Sequence, residues 1–259
     1  MQLYLATAPD HLDQARPYTA HLAHAAYRIG ADAHLTARPL PQQLRGGLMM
    51  LSDLEAPLIR QAEPLCREVV RECNYRGYSG VVLDFDSAPS ADRVRLVRRL
   101  EDVLRRQGKT LFLPETWGTY AENAAVLICT ALSGGTLRAR LEEAQSRFAP
   151  RPIVLDCQRL AMDFLLPSPN GEGAALTQQQ LQQLRQGRPV FFSEDLCARY
   201  FTYRTQQHTH FVLFDDADTI RRKLRLGAEL GITTAFVMLP EVDDLLDDLF
   251  DTQKKSHLK

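Results

Sequence analysis

The chain has 259 residues, 45% of them hydrophobic and 24% charged, with a formal net charge of −1. That balance describes a globular protein and gives no electrostatic footprint for nucleic acid or for an anionic membrane, so neither is expected as a partner. The five cysteines, Cys66, Cys73, Cys129, Cys157 and Cys197, are odd in number, widely spaced and free of Cys-x-x-Cys pairs, which argues against a disulfide framework and a thiolate zinc site.

Short apolar runs at 2–6, 31–36, 47–51, 80–85, 110–113, 125–130, 152–156 and 233–239 read as strands. Helical periodicity fills the intervals at 11–28, 54–76, 90–107, 136–148 and 219–230, with apolar residues three and four apart. Ser90 and the Asp218-Thr219 pair mark helix starts, and Gly77, Gly108 and Gly231 mark left-handed helix ends. Eight strands alternating with helices, in a length close to the roughly 250 residues such folds use, predict an α/β protein of the (β/α)8 TIM-barrel class.

One region breaks the repeat. Between 157 and 216 a glutamine-rich helix at 177–186 is followed by Val190-Phe-Phe-Ser and two strand-like runs, 199–204 and 210–214. This predicts a helix-plus-hairpin insertion between the seventh and eighth strands. Val242, Leu245, Leu246 and Leu249 have the spacing of a last amphipathic helix. One barrel domain over 1–250 is therefore expected, with a flexible tail at 251–259. The start of the chain lacks a basic segment followed by an apolar core, and no run of about 18 apolar residues occurs, so a reduced, cytoplasmic setting is expected.

The strand at 80–85 runs into Asp84 and Asp86. Alternation aims both the same way, and two like charges that close raise each other's proton affinity, which suits a general acid. The competing reading is a strand that ends in solvent at the turn Ser87-Ala-Pro-Ser.

The barrel order, the placement of the insertion and this acidic strand end together resemble family 18 glycoside hydrolases, the chitinase-like group, and within it the small spore-cortex-type members. The family's fourth strand reads Asp-Gly-x-Asp-x-Asp-x-Glu, and here the matching stretch is Ser79-Gly80-Val81-Val82-Leu83-Asp84-Phe85-Asp86. Gly80 and Asp84 match; Ser79 and Val82 replace two acids, and Asp86 stands at the catalytic Glu. The segment from His210 to Leu239 is similar to the family's closing strand–helix–strand unit. Its usual tryptophan floor falls at Val237 or Met238, and the Met-x-Tyr-Asp of the sixth strand falls on Cys129-Thr130-Ala131-Leu132.

The resemblance implies a substrate-assisted glycosidase site in which Asp86 is the acid and Asp84 orients the acetamido group. With so much of the motif replaced, the expectation is a degenerate site in a non-catalytic carbohydrate-binding or scaffold protein. The alternatives are a divergent hydrolase of N-acetylhexosamine glycans such as chitin or peptidoglycan fragments, and an unrelated barrel enzyme acting on a small metabolite. Glu115, just past the fifth strand, is a candidate substitute acid. Trp117 and Tyr120 in the same loop are candidate sugar-stacking residues, and Asp156 at the end of the seventh strand is a candidate substrate contact. Asp215, Asp216 and Asp218 are clustered carboxylates of which Asp218 reads as a helix cap rather than a metal ligand, His208 and His210 read as exposed hairpin residues, and Ser133-Gly-Gly-Thr136 as a helix start without the lysine of a P-loop. No cofactor and no metal is expected; the expected partner is a glycan or another small molecule, and the oligomeric state is open.

Overall fold

The computed structural model of the chain describes every residue except 55, 57, 168–170, 207 and 255–259, and gives the backbone alone for 251–254. Eight parallel strands close into a barrel: β1 (Gln2–Thr7), β2 (Leu22–Ile29), β4 (Leu48–Ser52), β5 (Gly80–Asp84), β6 (Thr110–Pro114), β7 (Ala125–Cys129), β8 (Ile153–Asp156) and β14 (Thr234–Met238). Each pairs with the next in space, and β1 closes the ring by pairing with both β14 and β2. The TIM-barrel expectation is met.

Strand alternation sorts the side chains into two cores. Tyr4, Ala6, Leu48, Met50, Val82, Phe112, Val154 and Phe236 fill the barrel, with Tyr4 stacked on Phe236 at 5.1 Å and Phe112 edge-on to Phe236 at 5.5 Å. Leu5, Met49, Leu51, Val81, Leu83, Leu113 and Val126 point outward against the helices. The helices are α2 (Ala62–Arg76), α3 (Ala91–Arg106), α4 (Leu137–Phe148) and α6 (Ala217–Glu229), and the buried positions of α3 include Leu96, Val97, Leu100 and Leu104. Helix α2 ends at Gly77, whose φ of 67° places it in the left-handed region that glycine enters without a Cβ penalty.

The second strand departs from expectation. The predicted helix at 11–28 is only a short turn, α1 (Leu12–Ala15), and Leu22–Ile29 forms β2 instead. The run Leu22-Ala-His-Ala-Ala-Tyr reads as helical by alanine content, but both of its faces are buried between β1 and β4, and this tertiary context overrides propensity. The predicted strand at 31–36 contributes only the end of a hairpin, β3 (Leu35–Ala37), antiparallel to β2.

The insertion sits where predicted, between β8 and β14, and contains the expected helix, α5 (Gln178–Arg185), and hairpin, β12 (Ala198–Arg204) with β13 (Thr209–Phe214). These belong to a larger five-stranded antiparallel sheet that adds β9 (Ala161–Leu166), β10 (Gly173–Ala175) and β11 (Phe191–Ser193). Asp163 obscures β9 in the sequence because it is a charged residue on a packed sheet face. There it accepts hydrogen bonds from Tyr203 at 2.7 Å and from His210. His210 is accordingly not an exposed hairpin residue: its ring stacks on Tyr203 at 4.2 Å.

At the neck of the insertion the amide of Asp215 donates to the Leu160 carbonyl at 2.8 Å, and the amide of Leu160 donates to the Asp215 carboxylate at 2.9 Å. Lys223 of α6 reaches the same carboxylate at 2.7 Å, and both charges are sealed from solvent. The helix cap lies earlier than predicted, at Asp216, which exchanges hydrogen bonds with Thr219. The chain finishes with α7 (Leu239–Val242) and α8 (Leu246–Lys254), and Val242, Leu245, Leu246 and Leu249 are buried as their spacing predicts. The tail expected from 251 is helical as far as 254, and 255–259 lie outside the described residues. No described helix is long and apolar enough to cross a membrane.

Candidate functional site

In a barrel of this kind the loops at the C-terminal ends of the strands form the mouth, and that is where ligand chemistry is built. Three carboxylates meet there. Asp84, the last residue of β5, shares the inward parity of Gly80 and Val82. Asp156 ends β8, in register with Cys129 of β7 and Phe236 of β14. Glu241 lies on α7, directly after β14.

All three carboxyls are raised above their ordinary values. Burial pushes the Asp156 carboxyl up to about 6, with the charges of Glu241 and Asp84 adding to the effect and a 2.8 Å hydrogen bond from Gln158 opposing it. Burial also raises Asp84, and the neighbouring charges of Asp86 and Asp53 raise it further. Glu241 is raised by burial, although the Arg159 amide donates to it at 2.9 Å. The mouth therefore holds an Asp156 carboxyl raised to about 6 and Asp84 and Glu241 carboxyls raised above their ordinary values, beside a Cys129 thiol that burial also raises.

Asp86 lies beyond the strand, exposed, on a loop that is anchored from below. Its amide donates to Asp53 Oδ1 at 3.0 Å, and the other oxygen of Asp53 takes the Ser87 hydroxyl and the Arg93 guanidinium, the latter at 3.0 Å. Asp53 is almost fully buried. The loop is thus fixed by a buried ion pair, while the Asp86 side chain faces solvent near Asp84.

Three predicted site residues are elsewhere. Glu115 is held by Arg140 and by Arg147 at 3.3 Å, both on α4, so its charge is committed to the outer helix layer. Trp117 is completely buried, edge-on to Phe85 at 5.6 Å and to Tyr120 at 6.1 Å, and offers no face to a sugar. Tyr120 is half-buried in the same outer core. The physical reason is shared: the turn after β6 folds outward over α4, and Gly118 lets Phe148 approach so closely that an added Cβ would lie 2.5 Å from its ring. Replacing Glu115 by Gln is expected to change the unfolding free energy by no more than about 1 kcal/mol and to leave ligand binding at the mouth unaltered. Urea denaturation and a ligand titration check this; a large loss of binding would return Glu115 to the site.

Alternation also resolves the last strand: Val237 packs outward and Met238 inward, so Met238 is the one of the two that faces the barrel interior. Sequence reading missed Glu241, whose available signal was its place immediately after a barrel strand and Pro240. Beyond Glu241 the mouth continues into a cleft of about 530 Å³ between the barrel and the insertion sheet, lined by Ser133, Gln158, Met162, Phe164, Leu176 and Glu241 among others. That volume is in the range of small-molecule sites. Among the described residues no group of three or more His, Cys, Asp or Glu side chains could hold a metal ion.

The sequence matches no protein-family model and no curated protein. Its fold, however, is that of chitinase-like glycoside hydrolases. The spore cortex-lytic enzyme SleL of Bacillus megaterium QM B1551 superposes with a TM-score of 0.64 at 19% identity, covering 96% of this chain and 74% of that one. A chitinase from Chromobacterium violaceum gives 0.66 at 16% identity with both chains fully covered. A family GH18 chitinase from Cycas revoluta in complex with (GlcNAc)4 gives 0.65 at 14% identity, covering 97% of this chain and 98% of that one. At these identities the likeness is one of fold.

Proposed function

We propose that this barrel binds an amino-sugar fragment at its carboxylate-lined mouth without hydrolysing it, as a carbohydrate-binding or scaffold protein of chitinase-like fold. The observation that carries the reading is the anchored, shortened acid. Asp86 is one methylene shorter than a glutamate, and its backbone is tied to the buried Asp53, so the loop has no slack to advance the carboxyl. A displacement near 1 Å costs on the order of 100-fold in rate. By the resemblance, Ala131 and Met238 stand where a phenol and an aromatic platform would support the transition state, which removes further stabilisation. What is left is a set of acceptors suited to sugar hydroxyl and acetamide N–H donors.

The test is a titration with (GlcNAc)4, the ligand of the Cycas revoluta chitinase complex, combined with a reducing-end assay. The expected result is saturable binding without new reducing ends. Asp84→Asn is expected to lower affinity about tenfold, in line with loss of a hydrogen bond to a charged group.

A second reading has one observation in its favour. Burial holds the Asp156 carboxyl up to about 6 and raises Asp84 beside it, so the mouth can keep a carboxyl proton as general-acid chemistry requires. Under this reading the protein is a divergent glycoside hydrolase of N-acetylhexosamine glycans with Asp86 as acid. Turnover of (GlcNAc)4 that disappears in Asp86→Asn would establish it and end the first reading.

A further inference from the structure

On the outside of the barrel, α2 and α3 run side by side and leave a groove of about 500 Å³ between them. Cys66, Val70 and Val103 form its floor, and Arg67, Arg71 and Arg106 stand along its rim. Among the described residues no acidic side chain lines it. Arg67 and Arg71 are exposed, and neither makes an ion pair among the described residues. They are four apart on α2, hence neighbours on one face of the helix. Arg106 stands across from them on α3 and shares Asp102 with Arg99 and Arg105.

We propose that this groove is a docking site for an acidic amphipathic helix of a partner protein. Charge complementarity and shape both select that occupant. The apolar floor calls for one apolar stripe, and the guanidinium groups spaced by a helical turn match carboxylates spaced by a turn on a third helix. Arginine's planar fork pairs carboxylates in defined geometry, which rewards a fixed helix over a diffuse charge. The site is independent of the barrel mouth.

The probe is a helix-forming peptide with a leucine stripe flanked by glutamates, labelled for fluorescence anisotropy and titrated with the full chain. Saturable binding that weakens as salt rises is expected. The double variant Arg67→Glu with Arg71→Glu is expected to lose at least tenfold in affinity while keeping the thermal melting temperature of the parent, because both side chains are exposed. A peptide with glutamine in place of glutamate is expected to lose a similar factor. Absence of peptide binding overturns the proposal, as does binding that the double variant does not change. Capture by phosphatidylglycerol vesicles with no binding of the peptide overturns it too, and assigns the groove to a lipid surface instead.

Discussion

Replacing Lys223 by methionine is expected to cost about 4 kcal/mol of unfolding free energy, the range found when one partner of a buried ion pair is removed. The ammonium group lies 2.7 Å from Asp215, and neither side chain has meaningful contact with solvent. Without it the Asp215 carboxylate keeps only the Leu160 amide and the Thr219 hydroxyl at 2.8 Å, in surroundings that cannot hydrate the remaining charge. Adding Asp215→Asn to Lys223→Met is expected to recover at least about half of the loss, since the pair as a whole contributes less than its rupture costs. Urea denaturation of the wild type, both single variants and the double variant measures this. A single variant within about 1 kcal/mol of wild type would show that the pair is not a structural necessity.

Asp156→Asn is expected to do the reverse and stabilise the protein by about 2 kcal/mol at pH 7. The folded carboxyl titrates at about 6, above its ordinary 3.8. Between those values the folded chain binds more protons than the unfolded one. The contribution of Asp156 is therefore fully present below pH 3.8 and is lost as pH rises through 6. At pH 7 the charged carboxylate opposes folding by about 3 kcal/mol from a shift of two units, reduced to about 2 because water reaches the open mouth. Asparagine removes that cost. Stability curves of the two proteins should separate at neutral pH and converge below about pH 4, and a variant less stable than the parent at pH 7 would refute the assignment. The same substitution is expected to weaken sugar binding, the usual exchange where strain is kept for function.

Local pattern made most of the barrel legible in the sequence. Seven of the strands announce themselves as apolar runs between helices with clear starts and glycine ends, as at Gly77. The eighth, Leu22–Ile29, was hidden because a strand buried on both faces shows no alternation, and its alanines fit a helix equally well. The mouth was harder to read. Asp84 and Asp156 could be placed because strand parity is a local property. Trp117 could not, because whether a loop aromatic turns toward the mouth or the outer core is decided by partners distant in sequence, here Phe85, together with the packing of Phe148 on Gly118. Glu115 was misplaced for the same reason, its arginines lying on the helix after the next strand. Glu241 was overlooked within an acidic helix whose exposed aspartates dominate the pattern.

The paired hydrogen bonds between Leu160 and Asp215 give the insertion a doorway one residue pair wide. Everything between those residues begins and ends at the same point, and the excursion touches the barrel layer again where the Leu137 amide donates to the Asp195 carbonyl and Arg222 lies over Phe192. Lengthening that excursion adds only slowly to the entropy of closing it, and the spacing from β8 to α6 stays fixed. One wall of the cleft, the side carrying Met162 and Phe164, can thus be recut by mutation while the carboxylates on the barrel side hold their positions. A lineage built on this plan can change what its cleft accepts without refolding the machinery beneath.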